Sequence, residues 1–249
     1  MSKISGFAIL LALIGVSYSP DAHAQYVDKD DLARFDSELD RDSFMATARF
    51  RAVMVPPFLL GLAFDEHANN WQDGTTNFAY GVEFSWRRNQ DFEIGLAIDY
   101  ADLSMPGQFW LASDDPPDDA DWTTVDIGLL SLVLSSYWFW DVNEWFSPYI
   151  GGGIGPALVI GEVNKYNPRP GTPCRSAGTY NPPGCVGENG EPDLEAYFDP
   201  AEKENIPPVL PVLNLTLGAR FNISKHGVLK LEFGFQNYLF AGIAAGGQW

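Results

Sequence analysis

The residues that could support acid–base or nucleophilic chemistry are few and are spread along the chain. Two of the three histidines lie beyond residue 24: His226 in a short turn-like segment, and His67 in a polar segment. Ser104, Ser113 and Asp114 lie in the next polar segment after His67. A general base must lie within hydrogen-bond reach of the hydroxyl that it activates, and no motif in the chain sets that distance. The sequence therefore predicts no catalytic site, no metal site and no cofactor.

Ten ionisable side chains occupy the polar positions of segments in which every second residue is apolar. Five of them are basic: Arg49, Arg51, Arg87, Arg220 and Lys230. Five are acidic: Glu83, Glu93, Asp99, Asp126 and Glu232. Unpaired buried charge is very costly. If these segments line one closed interior, the balanced set predicts a network of salt bridges, which favours a plugged lumen over an open pore.

The chain is strongly acidic, and the charge is concentrated locally. A formal net charge of -18 argues against partners such as nucleic acid or anionic lipid. One short run carries five carboxylates that could contact a divalent cation at a lipopolysaccharide surface: Asp114, Asp115, Asp118, Asp119 and Asp121. A solvated surface loop is the simpler interpretation of the same run.

The two cysteines, Cys174 and Cys185, lie in one segment rich in proline, glycine and asparagine. In an exported chain an even number of cysteines predicts a disulfide. Two thiols with no neighbouring histidine do not predict a metal site. We expect the disulfide to hold a long loop in place.

The elements that would position all these residues are β-strands. In segments 77–87 and 92–101, large apolar residues alternate with small, polar or charged ones, and side chains of a strand point alternately to its two faces. Related patterns occur at 44–52, 123–140, 148–160, 213–221 and 229–235. These seven strands predict an all-β fold, an antiparallel up-and-down transmembrane barrel of about eight strands. The eighth strand would come from the tail, 237–249, or from division of a long segment.

The strand predicted at 123–140 is apolar on both faces between residues 128 and 134. If Asp126 points inward, the outward side chains are Val125, Ile127, Leu129 and Val133. Five aromatic residues at the end of this strand and across the next turn predict a girdle at a membrane interface: Tyr137, Trp138, Trp140, Trp145 and Phe146. A soluble aromatic core is the alternative.

The following strand carries the run Gly151-Gly152-Gly153 and then Gly155. In a narrow barrel, glycine leaves room for bulky neighbours in the lumen and permits tight curvature. A phosphate-binding loop is the competing interpretation, but the run lacks the Lys-Ser/Thr pair and the helix that such a loop requires.

The N-terminus predicts export. Lys3, the mostly apolar segment 4–16 and the small-x-small sequence Ala22-His23-Ala24 are typical of a secretory signal peptide covering residues 1–24. An N-terminal membrane anchor is the alternative, but the apolar segment is short for a membrane span.

The rest of the chain divides into two parts. Residues 25–43 predict a short amphipathic helix or a tether, and residues 44–249 predict the barrel. Short turns alternate with longer connections, as in outer-membrane barrels, where short turns face the periplasm. The longest connection, 162–209, predicts one external loop.

The chain resembles the small eight-stranded outer-membrane barrels of the OmpA/OmpX/OmpW type. The resemblance rests on the signal-like N-terminus, the alternating strands, the strand Pro148-Tyr149-Ile150-Gly151-Gly152-Gly153-Ile154-Gly155 and the terminal Trp249. It departs from the family at Gly247, where the family's final strand usually has a large apolar residue. Loop-borne His67 and Ser104 also loosely resemble the lipid A palmitoyltransferase barrel, without a diagnostic motif.

The resemblance implies a Gram-negative outer-membrane protein, a monomer or a subunit of a complex, in contact with lipid and lipopolysaccharide. We predict a non-catalytic, structural or surface-interaction role through the acidic external loops. The alternatives are a subunit of an envelope complex with a protein partner, a small porin-like channel and a lipid A-modifying enzyme. A soluble lipocalin-like barrel would share the alternating pattern but would need no membrane.

Overall fold

The computed structural model describes residues 43–55, 66–67, 76–89, 91–112, 120–175, 184–187 and 191–249. The predicted signal peptide and residues 25–42 of the predicted helix or tether lie outside these ranges. The strands are β1 Ser43–Met54, β2 Glu66–His67, β3 Thr76–Asn89, β4 Phe92–Asp102, β5 Met105–Ala112, β6 Asp121–Phe139, β7 Phe146–Tyr166, β8 Glu202–Lys203, β9 Val209–Asn222, β10 Gly227–Gln236 and β11 Leu239–Gln248, with one short helix, α1, Leu194–Tyr197. In this part of the chain no helix has the length and apolar character of a membrane span.

Eight of the strands close into an antiparallel barrel in the order β1-β3-β4-β6-β7-β9-β10-β11 and back to β1. The closing pair is continuous, because Phe44 and Trp249 exchange both backbone hydrogen bonds at 2.9 and 3.0 Å. The predicted all-β barrel is confirmed. The eighth strand is the tail, β11.

The barrel has two distinct ends. At the short-turn end, brief connections join β3 to β4, β6 to β7 and β9 to β10. At the long-loop end, long connections follow β1, β4 and β7, and a two-residue turn joins β10 to β11. The alternation of short and long connections agrees with the sequence pattern.

The outer face of the barrel is an apolar belt. In β1 the side chains of Phe44 and Phe50 are exposed, while Arg49 and Arg51 are buried. The same alternation around the barrel exposes many large apolar side chains, up to 67 % for Ile154. From Leu130 in β6 to Trp140 just after it, the exposed side chains extend over ten residue steps, which at about 3.4 Å per residue and a tilt of about 40° gives a belt about 25 Å tall. A belt of this extent is far larger than the apolar patches of soluble monomers.

Two predictions about β6 were wrong. Val125, Leu129 and Val133 are buried and Asp126 is exposed, so the inward and outward faces are opposite to those expected. The pattern could not decide the face, because the lumen behind this strand is itself apolar. Tyr137 is fully buried and does not belong to the girdle, since its neighbour Trp138 is the outward residue of the pair.

The lumen has an apolar layer towards the long-loop end. Its members come from seven barrel strands, from β5 and from three residues in the connections between strands, and they pack into one continuous cluster of buried side chains. They are Val53, Val55, Ala79, Ala101, Leu103, Met105, Trp110, Val125, Leu129, Val133, Ala157, Val163, Val212, Tyr238 and Phe240. Polar and charged residues fill the lumen towards the short-turn end.

Strands β6 and β7 continue beyond the barrel at the long-loop end and form an external extension with β2, β5, β8 and α1. β5 pairs with β6, and β8 pairs with β7. The extension has its own small core of Phe109, Ala120, Trp122, Cys174, Cys185 and Phe198. β7 reaches Tyr166 and so runs past residue 162, and the segment predicted as one loop also contains α1 and β8.

Cys174 and Cys185 form the disulfide that the sequence predicts, and both are buried in the core of the extension. The bond closes a ring across a sequence separation of 11, for which the chain-entropy model gives about 3 kcal/mol of stabilisation. The constraint acts on the extension, because no barrel strand lies between the two cysteines.

Replacing both cysteines by serine is therefore expected to loosen the extension and leave the barrel folded. Limited trypsin digestion should cut the double variant faster at Arg175, while the heat-modifiable gel migration of the barrel stays unchanged. The oxidised and reduced native protein provide the matched comparison. Equal digestion rates in all three samples would contradict a stabilising role for the disulfide.

Candidate functional site: the charged lumen

Eight ionisable side chains meet in the lumen and form what we call the charge lattice. They project from the inward faces of β1, β3, β4, β9 and β10, and none is more than 4 % exposed. The lattice consists of Arg49, Arg51, Glu83, Glu93, Asp99, Arg220, Lys230 and Glu232. Four are cations and four are anions, so the lattice is formally neutral.

Glu232 is one centre of the lattice. Its Oε2 accepts hydrogen bonds from Arg51 Nη2 at 2.6 Å and Arg51 Nε at 3.1 Å, and from Arg49 Nη2 at 3.3 Å. Its Oε1 accepts one from the Tyr149 hydroxyl at 3.1 Å. Glu232 thus joins β10 to β1 and to β7 across the lumen.

Lys230 is a second centre. Its Nζ donates to Glu93 Oε1 at 2.8 Å and to Glu83 Oε1 at 3.2 Å. The Tyr137 hydroxyl donates to Glu83 Oε2 at 2.6 Å, and Arg220 Nη1 donates to Glu93 Oε2 at 3.3 Å. These contacts connect β10 and β9 to β3, β4 and β6 on the opposite wall.

Arg49 links the two centres. Its Nη1 lies 3.2 Å from Glu83 Oε2 and 3.3 Å from Asp99 Oδ2, while its Nη2 reaches Glu232. Each anion of the lattice therefore has at least one cation within salt-bridge distance. A buried charge is tolerated when it is paired and hydrogen-bonded in this way.

Two residues that the sequence assigned to the lattice lie elsewhere. Arg87 lies at the short-turn rim, where its Nη2 is 3.2 Å from both carboxylate oxygens of Asp141. Asp126 is exposed at the long-loop end, with its carboxylate 3.4 Å from the Ser104 hydroxyl. The expected inward position of Asp126 is wrong because β6 presents its odd-numbered residues to the lumen at this level.

Glycines make room for the two lattice tyrosines. A Cβ on Gly151 would lie 2.3 Å from Tyr137 Cδ1, and a Cβ on Gly218 would lie 2.3 Å from Tyr149 Cζ. The prediction that the glycine-rich strand leaves space for bulky neighbours in the lumen is confirmed.

The remaining residues of the predicted girdle lie at the short-turn end. Trp138, Trp140 and Trp145 are about half exposed or more, and Phe146 is half-buried. The ring of Trp145 lies 5.7 Å from that of Phe146, and both approach Phe221.

The predicted cation-contact residues fall mostly outside the described ranges, namely Asp114, Asp115, Asp118 and Asp119. Asp121 is described, and its carboxylate lies 3.0 Å from Lys165 Nζ. Within the described ranges, no group of three or more His, Cys, Asp or Glu side chains could hold a metal ion. In the extension, hydrogen bonds from Lys203 and Asn164 hold the pKa of the Glu162 carboxyl below its ordinary value.

The candidate catalytic residues are not assembled among the described side chains. The Ser104 hydroxyl contacts the carboxylates of Asp102 and Asp126. His67 lies in β2, whose backbone pairs with β5. His226 lies at the short-turn end, where its Nδ1 is 3.2 Å from the Gln248 carbonyl oxygen. Ser113 and Asp114 lie outside the described ranges.

Sequence reasoning missed three uncharged members of the site. Tyr137 and Tyr149 donate to lattice carboxylates, and Gln236 Oε1 accepts from Arg51 Nη1 at 2.9 Å. The two tyrosines could have been found from the pairing of a tyrosine with a glycine on the neighbouring strand. Tyr137 is in register with Gly151, and Tyr149 is in register with Gly218.

Closure of eight antiparallel strands around a salt-bridged interior, with an apolar belt outside, decides the architecture. The fold is that of the small eight-stranded outer-membrane barrels. No protein-family model and no curated protein matches the chain.

The solved structures that are similar to this chain include two bacterial surface proteins. Ail, the attachment invasion locus protein of Yersinia pestis, is 11 % identical with a TM-score of 0.41, and the match covers 84 % of this chain and 99 % of that one. Neisserial surface protein A is 11 % identical with a TM-score of 0.39, and the match covers 82 % of this chain and 95 % of that one.

Proposed function

We propose that this protein is an outer-membrane barrel of a Gram-negative cell, exported by cleavage of the signal peptide 1–24, with a plugged lumen and a non-catalytic role in surface interaction. The observation that carries the proposal is the combination of a neutral, buried charge lattice with a continuous lipid-facing belt. The lattice accounts for the charged residues of the lumen, and its members have partners within the fold.

The belt supports the membrane location. Side chains such as Phe84, Ile154 and Phe233 are more than half exposed on different sides of the barrel. In water this surface would drive aggregation, whereas in a bilayer it lies against acyl chains. Tryptophans at the short-turn end fit the interfacial region of the membrane.

Two layers of buried side chains support the proposal that the lumen is plugged. An eight-stranded barrel has an interior just wide enough for side chains, and here the charge lattice fills one part of it. The apolar cluster fills the part towards the long-loop end. A hydrated ion would have to break salt bridges and then cross an apolar layer.

The external extension supports the interaction role. It has a separate core and a disulfide, so it presents a folded surface above the barrel. Exposed carboxylates of the extension, among them Glu195, Glu202 and Glu204, make that surface acidic. Such a surface suits contact with lipopolysaccharide through divalent cations, or with a protein partner.

Planar-bilayer recording tests the plug. The native protein is expected to give no stable large single-channel current, while an open porin inserted in the same way provides the positive control. Heat-modifiable migration and detergent-dependent solubility of the same sample establish insertion. A large steady conductance would overturn the plug, and a detergent-independent soluble monomer would overturn the membrane location in favour of a lipocalin-like barrel.

A subunit of an envelope complex is the second candidate, favoured by the folded extension. Crosslinking in intact cells tests it, with a photoreactive residue placed at exposed Glu202 and a control at exposed Phe84 in the belt. A discrete protein adduct from position 202 alone would support the complex. Adducts with lipopolysaccharide alone would support the lone surface protein.

A further inference from the structure

Two buried polar groups lie where the charge lattice meets the apolar layer of the lumen. Gln236 ends β10, and its backbone N–H donates to the carbonyl of Tyr238, two residues further on, at 2.7 Å. Both side chains are at most 1 % exposed, and neither Gln236 Nε2 nor the Tyr238 hydroxyl has a hydrogen-bond partner among the described residues. Folded proteins pair nearly all buried polar groups with protein or with ordered water. These two groups therefore require a partner that the described side chains do not supply.

Asp99 is the anion of the charge lattice with the longest salt bridges. Its Oδ2 lies 3.3 Å from Arg49 Nη1 and 3.8 Å from Arg51 Nη1. Each of the other lattice carboxylates has a cation at 3.2 Å or less. A carboxylate offers about four acceptor sites, and the side chain of Asp99 is only 2 % exposed. This buried carboxylate can therefore accept a further hydrogen bond.

The Gln236 amide and the Tyr238 hydroxyl both approach Asp99. Arg51 Nη1 donates to Gln236 Oε1 at 2.9 Å and lies 3.8 Å from Asp99 Oδ2, so the amide and the carboxylate flank one guanidinium nitrogen. The Gln236 amide acts on the Asp99 carboxylate, but its Nε2 makes no direct hydrogen bond to it. Asp99 is also the first charge that acts on the Tyr238 hydroxyl. The three groups are close without direct contact, as a single bridging molecule requires.

The wall beside these groups is built from minimal side chains. Gly81 is in register with Asp99, and Ala79 is in register with both Ala101 and Arg51. Both alanines are buried. A buried water needs a polar site that is not filled by bulky neighbours, and the side chains next to Asp99 and Arg51 meet that condition.

We propose that one buried water molecule accepts a hydrogen bond from Gln236 Nε2, donates one to the Asp99 carboxylate and binds the Tyr238 hydroxyl. Three hydrogen bonds are typical of a buried water. A monatomic anion would face the Asp99 carboxylate, and a cation would face the N–H groups of Gln236 and Arg51. Either ion would also leave the neutral lattice with an uncompensated buried charge, which is costly. The water extends the hydrogen bonds of the charge lattice to the edge of the apolar layer.

Tyr238→Phe tests the site through the sign of its effect on urea unfolding in lipid vesicles. If water binds the hydroxyl, loss of that hydrogen bond is expected to lower the folding equilibrium constant about three- to tenfold. If the hydroxyl is unpaired, its removal leaves the constant unchanged or raises it. Tyr80→Phe is the matched control, because Tyr80 is a lipid-facing side chain that is 59 % exposed, and no change is expected there. An unchanged or higher constant for Tyr238→Phe would overturn the proposal.

Nuclear magnetic resonance of the isotope-labelled full chain in a lipid bilayer detects the water itself. The side-chain amide protons of Gln236 are expected to show a direct Overhauser cross-peak at the water frequency. Tyr238→Phe is expected to keep this cross-peak, because Gln236 and Asp99 still hold the water, whereas a signal relayed through the tyrosine hydroxyl would disappear. Absence of the cross-peak in the native protein, or its loss in Tyr238→Phe, would overturn the proposal. Heat-modifiable migration, read on every sample, establishes that each variant is folded.

Discussion

Replacing Glu232 by glutamine is expected to lower the free energy of unfolding by about 3–5 kcal/mol, the cost of removing one partner from a buried ion pair. The substitution preserves shape and removes the charge that Arg51 and Arg49 face at 2.6 and 3.3 Å. Asp99 is the nearest remaining anion for Arg51, at 3.8 Å. One buried cation is left without full compensation.

Urea unfolding of the protein in lipid vesicles measures this cost, with folded and unfolded species separated by gel migration and followed by tryptophan fluorescence. Glu162→Gln is the control, since Glu162 is an exposed carboxylate that pairs with Lys203 in the extension. We expect little change in the control because exposed ion pairs contribute little to stability. A native-like unfolding midpoint for Glu232→Gln would contradict an energetically coupled lattice.

A double variant separates charge from packing. Combining Glu232→Gln with Arg51→Met removes a cation and an anion together, so the lattice stays neutral. The combined loss is expected to be smaller than the sum of the two single losses, because each single variant leaves an uncompensated charge. Strict additivity would mean that packing alone accounts for the two single effects.

Outside β6, strand alternation predicted which face the expected lumenal charges occupy, but not their height along the barrel axis. Eight of the ten expected lumenal charges meet in the lattice, because period-two alternation fixes their face. Arg87 follows the same alternation but lies at the short-turn rim. Its partner there is Asp141, in the turn between β6 and β7. Height depends on the stagger between strands, which is a property of the pairing register.

The apolar layer of the lumen and the external extension depend on long-range contacts that a single segment does not encode. Because the lumen next to β6 is apolar, this strand is apolar on both faces. The single charged residue Asp126 therefore does not mark the inward face, although the sequence suggests that it does. Phe109 and Phe198 are separated widely in the chain, yet their rings lie 6.4 Å apart in the core of the extension. A segment without periodicity was therefore predicted as a loop although part of it is folded.

Replacing Gly151 by valine is expected to lower the free energy of unfolding by about 4 kcal/mol, through overpacking and loss of a buried hydrogen bond. The first added carbon would lie 2.3 Å from Tyr137 Cδ1 and 2.7 Å from its Cε1. The ring has little freedom to move, because its hydroxyl binds Glu83 and its edge packs on Tyr149 at 5.6 Å. Displacement of Tyr137 would leave the Glu83 carboxylate without one of its donors.

Gly152→Val is the matched control on the adjacent residue. A Cβ there has no heavy atom nearer than 3.9 Å, and valine favours a strand, so stability is expected to be unchanged or slightly higher. Urea unfolding in vesicles compares the two variants. Adding Tyr137→Ala to Gly151→Val should recover part of the loss, because the valine then fills space that the ring vacated. If the two glycine variants unfold at the same urea concentration, the close packing of Tyr137 on Gly151 does not govern stability, and the lattice tyrosines are not rigid.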